Sequence, residues 1–114
     1  MHEVALIQNV LDIITQSTQE MHMERVSKIK LVVGKLSMAL PDSLSFAFEV
    51  LKDGPLFGNA VLEIEERDIR CCCKECQTEF SPGNEYRFSC PECGSAGIEI
   101  TSGRELFIDN YEGE

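Results

Sequence analysis

The chain has 114 residues, of which 43% are hydrophobic and 26% charged, the make-up of one globular domain or of a small domain carrying a smaller insert. Ten Lys and Arg stand against twenty Asp and Glu, a formal net charge of −10, so a cation cluster for nucleic acid or for an anionic membrane surface is excluded. No apolar run approaches the roughly 20 residues that span a bilayer.

The N-terminus, Met1-His2-Glu3, has neither the basic region nor the cleavage site of a secretory signal, which predicts a cytoplasmic protein. Residues 3–22 read as an amphipathic helix. Ile7, Val10, Leu11 and Ile14 recur at helical spacing, Leu6 and Ile13 widen the stripe, and Gln8, Asp12 and Gln16 face away. Residues 26–34 alternate as a half-buried strand, with Ile29, Leu31 and Val33 opposite Lys28 and Lys30 and with Gly34 as its end or a bulge. A second helix is predicted over 41–52. Pro41 and Asp42 suit its first turn, Leu44, Ala47, Phe48 and Leu51 its buried face, and Asp53-Gly54-Pro55 its stop. Residues 60–68 alternate again. Ile98 and Ile100 start a further strand or hairpin that Ser102-Gly103 interrupts and Leu106–Ile108 resume.

The predicted fold is therefore α+β: two helices packed on a three-stranded sheet, with an inserted zinc-ribbon-like domain at 70–97. Residues 1–69 and 98–114 form the main domain. The insert has few large apolar residues (Phe80, Tyr86 and Phe88), and a segment under ~40 residues seldom folds on burial alone. Its thiols are the remaining source of stability.

All six cysteines fall between Cys71 and Cys93. Cys73-x2-Cys76 and Cys90-x2-Cys93 are two C-x-x-C pairs, a spacing that lets both sulfurs of a pair reach one ion from a tight turn. Pro91 and Gly94 suit such a turn in the second pair. Four thiolates match a closed, structural Zn²⁺ site, although four cysteines also hold iron in rubredoxin-like proteins. Cys72 with Cys76 gives a permitted x3 register; Cys73 is favoured because it mirrors the second pair. Cys71 and Cys72 are then read as strand packing and a free thiol.

The other ligand set is the chain end. His2 is large, so the initiator Met is expected to stay. The Met1 amine, the His2 amide nitrogen and the His2 imidazole close five- and six-membered rings on one metal. A planar nitrogen set of that kind suits Ni²⁺ or Cu²⁺, and Glu3 either adds a carboxylate or stabilises the first helical turn. His22, near the end of the first helix, is given no ligand role.

Met1-His2-Glu3 together with the two late C-x-x-C pairs resembles the HypA/HybF family of nickel metallochaperones for [NiFe]-hydrogenase maturation. The length, the long first helix, the Val33–Leu36 segment and the short C-terminal strand agree with it. The resemblance implies that His2 is the principal Ni²⁺ ligand, assisted by the backbone from Met1 to Glu3. It implies structural zinc on Cys73, Cys76, Cys90 and Cys93. It implies a HypB-type GTPase and the hydrogenase large-subunit precursor as partners, leaves a homodimer open, and extends to urease maturation in some relatives. Some members carry a histidine just after the second C-x-x-C. Gly94 stands there and 70–97 holds no histidine, so Glu3, water or a partner must complete the nickel site. No catalytic set or phosphate loop is apparent, so the chain is not read as an enzyme. The competing readings are a rubredoxin-like electron carrier and a zinc-ribbon interaction module.

Overall fold

The computed structural model describes residues 2–83 and 87–114, with the backbone alone at His2. Met1, the His2 side chain and Tyr86, all part of the sequence reading, lie outside the described residues.

The first helix, α1, spans His2–Glu20 and buries Ile7, Val10, Leu11 and Ile14, the stripe that helical spacing singles out. Ile13, at the flank of that stripe, is half exposed at 50%. Beyond the helix end His22 takes the left-handed conformation (φ 58°), and the Met23 N–H closes the last turn on the Thr18 carbonyl at 2.9 Å. Strand β1, Val26–Gly34, follows. Helix α2, Pro41–Leu51, has Pro at its start and Asp42 in its first turn, and buries Leu44, Ala47 and Phe48.

An unexpected short helix, α3, covers Gly54–Phe57. Asp53-Gly54-Pro55 signals the end of one helix and the start of another equally well. The Asp53 carboxylate accepts from the Gly54 N–H at 2.8 Å, Pro55 occupies the first turn, and Phe57 is buried.

Strand β2, Val61–Arg67, pairs parallel to β1 after the α2 crossover, and β6, Leu106–Gly113, pairs antiparallel on β1's other side, giving the order β2-β1-β6. Ile29, Leu31 and Val33 face the helices and close one core with α1, α2 and Phe57; Leu62, Ile64, Ile108 and Tyr111 pack at its edge. The Tyr111 hydroxyl meets that of Ser17 at 2.5 Å and so ties β6 to α1.

A second sheet, in the order β4-β3-β5, is built from β3 (Arg70–Cys73), β4 (Glu79–Phe80) and β5 (Ile98–Ser102). Ile98 and Ile100 therefore belong with the cysteines: they pair with Cys73 and Cys71, and the change from one sheet to the other falls at Gly103 rather than before Ile98. Gly103 (φ 118°) lies over the buried Ile69 and approaches Gly34 so closely that a Cβ at Gly34 would overlap its carbonyl oxygen. That carbonyl accepts from the Leu36 N–H at 2.8 Å, which fastens the two sheets at their join.

Candidate metal centre

Two tight turns of the same kind bring the cysteines together. Strand β3 ends on Cys73. The Gln77 N–H then returns to the Cys73 carbonyl at 3.0 Å, and the Cys73 N–H reaches the Thr78 carbonyl at 2.9 Å. In the second turn the Gly94 N–H returns to the Cys90 carbonyl at 2.9 Å, and the Cys90 N–H reaches the Ser95 carbonyl at 2.9 Å. Gln77 (φ 65°) and Gly94 (φ 74°) hold equivalent left-handed positions, so Gln77 bears there the strain that Gly94 avoids. The Lys74 N–H donates to the Gly97 carbonyl at 2.9 Å and joins the two turns.

The sulfurs of Cys73, Cys76, Cys90 and Cys93 all lie within 4.8 Å of one another. Cys73 and Cys93 are 3.6 Å apart and Cys76 and Cys90 3.5 Å. A tetrahedron with Zn–S bonds of about 2.3 Å has edges of about 3.8 Å, so the donor set fits a tetrahedral thiophilic ion. Cys73 and Cys90 are buried whereas Cys76 and Cys93 are exposed. Backbone N–H groups aim at the buried pair: Glu75 at Cys73 Sγ (3.4 Å), and Glu92 (3.4 Å) and Cys93 (3.5 Å) at Cys90 Sγ. Such donors stabilise thiolate charge.

The thiols are electrostatically unequal. The Thr78 hydroxyl, 3.1 Å from Cys76 Sγ, and the Thr78 N–H lower the Cys76 thiol to about 6. At Cys93 the Ser95 N–H favours the thiolate, but hydrogen bonding to Cys73, burial and the other sulfurs outweigh it and push the thiol up to about 12. One negative charge forms readily; four together require a cation among them.

Cys71 and Cys72 stand outside this group. Both are in β3, opposite Phe80 and Glu79, and burial raises both thiols. Of the two registers that spacing allows, the structure gathers the sulfur of Cys73 and not that of Cys72. Thr78 and Ser95 were not singled out by spacing. Their only sequence signal is that each lies two residues beyond the second cysteine of its pair.

At the other end of the chain, α1 starts at His2, and Glu3 is half-buried in its first turn. Among the described residues, the four cysteines form the one group of three or more Cys, His, Asp or Glu side chains able to share an ion. No described helix is long and apolar enough to cross a membrane.

The family model described as hydrogenase/urease nickel incorporation, metallochaperone, hypA matches residues 1–113. The chain is 42% identical to a hydrogenase maturation factor HypA of Moorella thermoacetica, over all of both chains. It is 39% identical to a guanidine hydrolase-activating protein A of Synechocystis, over 98% of this chain and 94% of that one. A solution structure of a HypA protein superposes with a TM-score of 0.73, covering 100% of this chain and 97% of the other; at 21% identity that likeness concerns the fold.

Proposed function

The chain belongs to the HypA family, the nickel-incorporating metallochaperones of hydrogenase maturation, which are not enzymes; from that premise we propose that it carries Ni²⁺ on Met1, His2 and Glu3 and keeps Zn²⁺ on Cys73, Cys76, Cys90 and Cys93. The nickel is cargo, bound by the Met1 amine, the amide nitrogen and imidazole of His2, and the Glu3 carboxylate. The observation that supports it is that α1 begins at His2. The first N–H groups of a helix have no acceptor within it, so the His2 amide nitrogen can bind a metal without breaking a helical hydrogen bond. The positive end of the helix dipole opposes a cation there, which moderates affinity and favours hand-over.

The four-sulfur set offers no open position, and zinc held there supplies local folding free energy rather than chemistry. The sheet that carries it is proposed as a unit separate from the helical nickel-binding one. Delivery takes place in the cytoplasm with a HypB-type GTPase and the hydrogenase large-subunit precursor as partners, and with a homodimer as the candidate assembly. The likeness to a guanidine hydrolase-activating protein supports a second client class, a guanidine hydrolase.

The test is metal analysis of the tag-free chain after nickel loading and dialysis, with intact mass establishing that Met1 is present. The parent should hold one zinc and one nickel per chain, and His2→Ala one zinc and no nickel. Equal nickel in both would refute the terminal site. A red, iron-containing preparation would favour the rubredoxin-like alternative.

A further inference from the structure

The first turn of α1 and the length of α2 leave a groove of about 320 Å³. Its walls include Val4, Phe46, Val50 and Leu51, and among the described residues its charged lining is Glu3 and Asp42. Phe46 is 72% exposed and Val50 65%. A large aromatic left in water beside a second large apolar side chain, on a chain this acidic, marks a contact surface. Among the described residues neither carboxylate has an ion pair. The nearest cation along α2, Lys52, is already engaged by Glu49, the Ala60 carbonyl and the Phe48 ring.

We propose that this groove docks a cationic amphipathic helix of a partner protein, its apolar face on Phe46 and Val50 and its basic residues against Glu3 and Asp42. Phe46 and Val50, one turn apart on α2 and beside Val4 of α1's first turn, offer a further helix anchor points at its own helical spacing. Charge selects the occupant. A second copy would bring the same two carboxylates and another net charge of −10 against the first. Nucleic acid and anionic lipid are repelled in the same way. Because Glu3 is shared between the groove and the terminal nickel ligands, a helix seated there holds the partner beside the cargo. That consequence rests on the terminal nickel reading; the docking itself does not.

The experiment uses the nickel-free, zinc-loaded full chain and two labelled synthetic peptides, one Leu/Lys and one Leu/Glu, each helical and amphipathic, followed by fluorescence anisotropy. The Leu/Lys peptide should bind and the Leu/Glu peptide should not. The double variant Phe46→Ser/Val50→Ser should weaken binding about tenfold or more, and Asp42→Asn several-fold. All three positions are exposed or half-exposed, so thermal unfolding should move by only a few degrees. Equal binding of the two peptides, undiminished binding to the double variant, or no binding at all would overturn the proposal. So would sedimentation showing a parent dimer that the double variant dissolves, since the groove would then belong to a second copy. Nickel is absent throughout, so failure here leaves the His2 site standing, and failure of the His2 test leaves the groove standing.

Discussion

At Gly34 the backbone of β1 lies against the carbonyl of Gly103, and no side chain can be inserted between them. Gly34→Ala should therefore cost about 2 kcal/mol or more, read as a lowered urea midpoint at unchanged m-value. Individual cysteines separate in the same manner. Cys73→Ser should lose zinc, while Cys71→Ser and Cys72→Ser should retain one zinc per chain, because neither sulfur belongs to the clustered four. The proposed terminal nickel site should respond to acid. Protons would compete with nickel for the Met1 amine and the His2 imidazole, so affinity should fall as pH drops through roughly 8 to 6, measured by titration at fixed ionic strength.

The two sheets draw on different sources of stability. The β2-β1-β6 sheet and its helices enclose Ile7, Ile14, Ile29, Leu31, Leu44 and Phe48, all almost fully buried. Phe48→Ala should cost about 3–5 kcal/mol there. In the β4-β3-β5 sheet, by contrast, the buried side chains are chiefly cysteines, and Phe80 and Ile100 are only half covered. Chelation of the proposed zinc should thus abolish amide-exchange protection across β3, β4 and β5 while α1 and β1 stay protected. Simultaneous loss in both would show that one core supports the whole chain.

Over the molecule, charge is arranged as a ladder on the sheet face away from the helices. Lys28 lies 3.2 Å from both Glu63 and Glu112, and Lys30 lies 3.2 Å from Glu65 and 3.7 Å from Asp109. Hydrogen bonds to Glu112 and Glu63 raise the Lys28 ammonium, and one to Glu65 raises that of Lys30. Hydrogen bonds from Arg67 and Lys30 lower the Glu65 carboxyl, and backbone N–H groups, chiefly its own, lower that of Glu105. The carboxylates therefore add stability that is complete above their ordinary value near 4.5 and is lost as pH falls through the depressed folded values. The lysines add stability that is complete below their ordinary value near 10.5 and is lost as pH rises through the elevated ones. A plot of melting temperature against pH should show a plateau between those limits. Its edges should shrink in high salt, because the pairs are exposed to solvent.

Periodicity alone located α1, β1, α2 and β2 to within about two residues, because an apolar stripe or an alternation is written into the chain wherever a single face is buried. Spacing alone found the four cysteines, because a tetrahedral ion shared by two turns demands two close pairs. Three features had no such local record. Asp53-Gly54-Pro55 satisfies a helix stop and a helix start alike, so α3 depended on whether Phe57 found a place in the core. Ile98 and Ile100 alternate identically whichever sheet receives them, and pairing with β3 assigned them to the cysteines. The groove between Val4 and Phe46 joins side chains some forty residues apart. A helix's outward apolar residues look like those of its core stripe until the other elements have packed and left them uncovered.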